Sequence, residues 1–229
     1  MGKFSWGWGH SFKNYLLMFD LNDQDLQEPI LDVAAGASSF NAEMTMRGFQ
    51  AISSDPLYEH SFEEVQTKVA LMLDNLERRI NESKDKFIWT YETSPEALMS
   101  KQRTMAEIFL KDFEKGFAEK RYIPDALPNL SFSDYQFTLA LCANFLFDGP
   151  YHHDLDFQLK AIKEMCRVSR ETRIFPLLND NGDISENLGA IMAALQAEDY
   201  GVEIREVAFQ LQKNGNAMLR IWANKCHLD

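Results

Sequence analysis

The stretch ILDVAAGASSF, Ile30 to Phe40, places an acid, Asp32, in an apolar run and follows it with the smallest side chains: Ala34, Ala35, Gly36, Ala37 and Ser38. Where a parallel strand ends and a helix begins, small residues let a ligand approach the backbone, and the helix presents free N–H groups. Asp55 closes the next apolar run, about 20 residues on, where a carboxylate can accept two hydrogen bonds from a ribose. The same residues also suit a plain strand-to-helix turn with its acids solvated at strand ends. Asn144, near the end of YQFTLALCANFLF, is a polar group suited to contact a cofactor or acceptor. His152 and His153 in YHHDLD are the candidate general base, since a neutral imidazole can take a proton from a reacting group. In the alternative, Asp154 caps a helix and the histidines are loop residues. Adjacent histidines rarely converge on one ion, and no third ligand stands out, so no metal is expected.

These residues need a scaffold that brings strand ends together. From Ile30 onward, short apolar runs alternate with amphipathic stretches, the pattern of a mostly parallel sheet covered by helices. PILDVAA, FQAISSD, RYIPD, the long run YQFTLALCANFLF and TRIFPLL are the first five strands. Leu155, Leu159, Ile162 and Met165 mark a crossover helix, and Ile184, Leu188, Ile191, Met192 and Leu195 a second apolar stripe. Asn214-Gly215 lies between two strand-like runs, which predicts a tight hairpin ending the fold with an antiparallel pair.

The segment from about 59 to 120 holds more helix than one crossover needs. Ser61 and Glu64 have capping-box spacing ahead of the stripe Val65, Val69, Met72, Leu76 and Ile80. Ser94-Pro95 predicts the start of a later helix with Met105, Ile108, Phe109, Phe113 and Phe117 on its apolar side. In the N-terminal segment, residues 1–28, Phe12, Tyr15, Leu16 and Phe19 draw a helical stripe behind SWGWGH, whose tryptophans either lid an acceptor or dock the segment.

The chain has 229 residues, 45% hydrophobic and 25% charged, the composition of a soluble globular protein. No apolar run approaches the roughly 20 residues that span a bilayer, and the first residues lack a signal-peptide core, so a cytoplasmic location without membrane attachment is expected. A net charge of −12 disfavours nucleic acid, whose phosphates are held mainly by Lys and Arg. The three cysteines, Cys142, Cys166 and Cys226, are widely spaced in apolar contexts and suit reduced core thiols.

A nucleoside cofactor at the first turn is either a nicotinamide dinucleotide or S-adenosylmethionine. The dinucleotide turn wants G-x-G-x-x-G so that pyrophosphate can approach the helix, and here only Gly36 is present. The residues resemble the class I S-adenosylmethionine-dependent methyltransferases, whose first motif is E/D-x-G-x-G-x-G. Asp32, Ala34, Gly36 and Ser38 fall on its four fixed positions, with two glycines replaced by small residues. Asp55 in ISSDPLY matches the family's ribose-binding acid, and Phe132, Asp134 and Phe137 are in register with its L-P-F-x-D-x-S-F-D segment. AIKEMCRVSRETRIFPLL resembles its helix, turn and fifth strand without the usual Pro-Gly-Gly, and the terminal hairpin resembles its antiparallel seventh strand. The resemblance runs from about Leu31 to Ala223 and excludes the insertion.

The resemblance implies a doubly wound α/β fold: a mostly parallel seven-stranded sheet with an antiparallel C-terminal hairpin and a helical insertion after the second strand. It implies one methyltransferase-like domain over residues 1–229. Asp32 and Gly36, flanked by Ala34 and Ser38, would face the methionine part of S-adenosylmethionine, Asp55 the ribose, and Asp125 in PDALP the adenine amino group, with Asn144 nearby. The expected partner is a small-molecule acceptor in preference to a protein. A non-catalytic module of the same fold, sensing the cofactor or binding a protein, is the alternative. The oligomeric state is not legible.

Overall fold

The computed structural model describes residues 8–90, 92–147, 153–179 and 181–224. Strand β1 (Ile30–Val33) lies between β2 (Ala51–Ser54) and β4 (Phe137–Ala143), parallel to both, and is buried along its whole length. Strand β3 (Tyr122–Ile123) extends the sheet beyond β2, and β5 (Ser169–Phe175) pairs in parallel with β4. Strand β7 (Ala217–Ala223) runs antiparallel between β5 and β6 (Tyr200–Glu206). The order is β3-β2-β1-β4-β5-β7-β6, as the sequence implies for a doubly wound, mostly parallel sheet ending in an antiparallel pair. The order reverses between β1 and β4, which opens a crevice outside their carboxyl ends.

Strand alternation decides what each face of the sheet meets. Leu139 and Leu141 join a core with α1 (Phe12–Met18) and α2 (Phe40–Met46), while Ala140 and Cys142 join one with α5 (Leu155–Val168) and α6 (Leu188–Ala197). In β1, Leu31 and Val33 face α5 and α6, and Ile30 lies in the α1 core. Alternation therefore turns the carboxylate of Asp32 toward α1.

Between β2 and β3 the chain inserts α3 (Phe62–Glu82) and α4 (Pro95–Ala118). Ser61 and Glu64 form the reciprocal capping box, and Ser94 Oγ caps α4 by accepting the Ala97 N–H at 3.2 Å. Val65, Val69, Phe109 and Phe113 pack with Ala35 and Ala37 of the turn after β1. The insertion thus rests on the carboxyl edge of the sheet. Gly116 lets α4 close on β3, because a Cβ there would lie 2.3 Å from the Tyr122 ring.

Two local expectations are corrected. Ile184 is not part of the α6 stripe; it lies ahead of the helix, bridged to Leu178, and is 65% exposed. Asn214-Gly215 is not a two-residue hairpin turn, although Asn214 does take a positive φ of 63°. The β6–β7 ladder closes at Glu206 and Ala217, and residues 207–216 form a longer connection that buries Phe209 and Leu211. Backbone bonds from Ile88 to Leu211 and from Lys213 to Lys86 dock this connection on the segment between α3 and α4. No described helix is long and apolar enough to cross a membrane.

Candidate functional site

The Tyr15 hydroxyl donates to Asp32 Oδ1 at 2.7 Å, and Ser53 Oγ, in register on β2, donates to Oδ2 at 3.4 Å. Tyr15 also stacks on Phe40 of α2 with ring centroids 4.1 Å apart, so one side chain holds α1 to β1 through its hydroxyl and to α2 through its ring. Asp32 is fully buried. Desolvation raises its pKa to about 7 against the pull of these two donors.

After β1 the backbone turns through Ala34 at φ 55° and Gly36 at φ 55°, the left-handed region that glycine tolerates and other residues enter at a cost. The turn is braced from β2. Asp55 Oδ2 accepts the Gly36 N–H at 3.0 Å, and its Oδ1 accepts the Leu57 N–H at 2.8 Å. The Tyr58 hydroxyl donates to the Gly36 carbonyl at 2.7 Å, closing the brace. Burial raises the Asp55 pKa to about 6, opposed by the two backbone donors.

Across this turn lies the segment Trp8-Gly9-His10. Ser38 Oγ donates to the His10 carbonyl at 2.7 Å, and the Gly9 N–H donates to Gln102 Oε1 of α4 at 2.9 Å. A Cβ on Gly9 would sit 3.1 Å from the Ala37 carbonyl oxygen, so the glycine permits the approach. The His10 ring meets Asn144, just past β4, with Nε2 and Oδ1 2.8 Å apart. Burial lowers the His10 pKa to about 4, leaving the imidazole neutral at physiological pH. Around this turn the candidates fall into three hydrogen-bonded groups, Asp32 with Tyr15 and Ser53, Asp55 with Gly36, and Ser38 and Asn144 with His10, with Ala34 shaping the turn.

The remaining candidates stand apart from these groups. Asp125 closes its own loop, accepting both the N–H and the hydroxyl of Ser131 through Oδ2 at 2.8 and 2.6 Å. His153 stacks on Phe157 at 4.2 Å, and Asp154 caps α5 by accepting the Phe157 N–H at 2.8 Å. His152 lies outside the described residues. His10, Tyr15 and Gln102 are site-edge residues that the sequence did not mark for the site: Tyr15 was legible only as part of a helical stripe and His10 only as the end of SWGWGH. The one local signal is Gly9, a glycine between two aromatic rings.

A cavity of about 280 Å³ opens beside His10, walled by α4, the start of α1 and the β6–β7 connection. Its apolar lining includes Leu98, Met105, Ile108 and Phe209, and its carboxylates are already engaged. Glu92 pairs with Lys101 at 2.8 Å, and Glu43 accepts from Ser39 Oγ at 2.7 Å.

No family model matches the chain. A protein of Methanocaldococcus jannaschii, described only as uncharacterized, is 35% identical over 215 residues, covering 93% of this chain and 94% of that protein. The chain belongs to the family of that archaeal protein. Solved structures similar to this member include a magnesium protoporphyrin IX methyltransferase of Synechocystis PCC 6803 with bound SAH, 11% identical, with a TM-score of 0.46 over 85% of this chain and 73% of that one. An S-adenosylmethionine-dependent methyltransferase of Aquifex aeolicus is 15% identical, with a TM-score of 0.41 over 92% of each chain. A putative methyltransferase of Methanococcus maripaludis is 11% identical, with a TM-score of 0.45 over 95% of this chain and 85% of that one. For this family member the fold assignment rests on the strand order of its own sheet.

Proposed function

We propose that the chain is an S-adenosylmethionine-dependent methyltransferase acting on a small molecule. The observation that carries this reading is the braced turn: Asp55, at the end of β2, holds the Gly36 N–H in a crevice at the point where the strand order reverses. The residues suit the cofactor. An ionised carboxylate has about four lone-pair sites, and each Asp55 oxygen accepts one backbone hydrogen bond, so capacity remains for both ribose hydroxyls. Gly36 and Ser38 would line the methionine part, Asp125 the adenine amino group, and Asn144 the edge toward the acceptor. Asp32, fully buried against Tyr15 and Ser53, would anchor the turn from below.

When bound, the cofactor supplies a methyl group already activated by its sulfonium, so the chain has only to align an acceptor and keep water away. The insertion and the Trp8–His10 segment are placed to do both. His153 remains a candidate base together with His152.

One observation favours the non-catalytic alternative: the Trp8–His10 segment lies directly on the turn, through Ser38 and the His10 carbonyl. A turnover assay separates the readings. The enzyme reading requires release of S-adenosylhomocysteine from S-adenosylmethionine that depends on an added small molecule. Cofactor binding with no release across a broad acceptor panel supports the sensing module.

A further inference from the structure

We propose that Trp8, Gly9 and His10 form a strap that closes the cofactor crevice, and that the strap must lift off the turn after β1 before S-adenosylmethionine can enter. This rests on the methyltransferase reading for the identity of the ligand, while the closure itself rests on contacts within the chain.

In this conformation the turn offers a ligand almost no surface. Ala35, Gly36, Ala37 and Ser38 are all buried, Ser38 to 3% exposure, and Asp55 and Asn144 are buried as well. A ligand atom can reach these groups only after something that covers them has moved. Part of the cover is the insertion, whose Val65, Val69, Phe109 and Phe113 pack with Ala35 and Ala37. The strap supplies another part. The His10 carbonyl accepts from Ser38 Oγ at 2.7 Å, and the His10 ring meets Asn144 Oδ1 at 2.8 Å. Gly9 lies so close to the Ala37 carbonyl oxygen that a Cβ there would be 3.1 Å away. Ser38 and Asn144 are the groups proposed to meet the methionine part and the acceptor edge, so the strap stands where the reacting end of the cofactor would lie.

Of these covers the strap can move with the least loss of packing. Displacing the insertion would shift two long helices with capped starts and open the core they share with the turn. The strap is three residues long. It is held by its bonds to Ser38 and Asn144, by the Gly9 N–H donated to Gln102 Oε1 at 2.9 Å, and by ring contacts of Trp8 with Phe87 and of His10 with Phe209. The closed position also carries a flaw: His10 Nδ1 is buried with no hydrogen-bond partner among the described residues. Lifting the ring into water gives that nitrogen a partner, which narrows the gap between the closed and lifted states.

A closed strap has a thermodynamic signature. Where only the lifted form accepts a ligand, the observed affinity is the intrinsic one reduced by the lifted fraction, so loosening the strap tightens binding. A contact that merely supports the site does the reverse when it is removed.

The test titrates S-adenosylhomocysteine into the full chain and into two variants that loosen the strap without touching the turn. Gln102→Met keeps the volume of the side chain and removes the acceptor of the Gly9 N–H, and Trp8→Ala removes the ring that rests on Phe87. Gln102→Met should bind about two- to tenfold more tightly than the parent, the span of one net hydrogen bond. Trp8→Ala should shift in the same direction. In the parent labelled with 5-fluorotryptophan, the Trp8 fluorine resonance, assigned by its loss in Trp8→Phe, should move as S-adenosylhomocysteine saturates. Affinity unchanged or weaker in both variants, or a Trp8 resonance that stays in place at saturation, overturns the strap and leaves the methyltransferase reading intact. Absence of binding to the parent and to both variants removes that reading, and the strap's role with it.

Discussion

Asp55 Oδ2 accepts the Gly36 N–H at 3.0 Å, tying the end of β2 to the turn after β1. Because Oδ1 also accepts from Leu57, the carboxylate shapes the turn in addition to the ribose contact proposed for it. Asp55→Ala should therefore have two effects. Binding of S-adenosylhomocysteine should weaken by about 1–3 kcal/mol, the scale of lost charge-assisted bonds. The fold should also lose about 0.5–2 kcal/mol, as when a capping side chain is removed. Calorimetry and urea unfolding separate the two, and unchanged affinity would remove Asp55 from the site.

Tyr15→Phe removes the donor that faces Asp32 Oδ1 inside the core. A buried carboxyl left short of a partner should cost about 1–3 kcal/mol of stability. Urea unfolding checks this, and a loss under about 0.5 kcal/mol would show that the bond contributes little.

Asp32 and His10 titrate in opposite senses. The folded pKa of Asp32 is about 7, above the 3.8 of an unfolded aspartate, so between those values the native state holds a proton the unfolded chain has released. Stability from this group is full below about 4 and is lost as pH rises to about 7. His10 is lowered from 6.5 to about 4, so its contribution is full above 6.5 and is lost as pH falls through that window. Asp32→Asn should therefore gain in melting temperature relative to the parent as pH rises from 4 to 7. A difference that stays flat with pH would contradict the buried, protonated carboxyl.

Gly116→Ala should destabilise by about 1–3 kcal/mol, since the added Cβ meets the buried Tyr122 ring at 2.3 Å. A denaturant midpoint equal to the parent's would show that α4 can shift off β3 without cost.

What was legible in the sequence was local. The strands, the Ser61–Glu64 capping box, Ser94-Pro95 and the stripe from Val65 to Ile80 follow from periodicity and short-range bonds, and each holds. The site edge was legible only in part, because its bonds join distant residues: His10 and Asn144 are 134 positions apart, and Gly9 and Gln102 are 93 apart. No spacing rule signals that Ser38 will meet a backbone carbonyl. The hairpin misread has a similar cause. Asn214-Gly215 carries a turn signature, but burial of Phe209 and Leu211 against the segment near Phe87 draws the connection out.

The most direct measurement is isothermal titration of the full chain with S-adenosylhomocysteine and, separately, with NADH. The braced turn, with small residues and a single glycine, should bind the first saturably at one site per chain and leave the second without heat of binding. Saturable binding of NADH with none of S-adenosylhomocysteine would contradict the methyltransferase account.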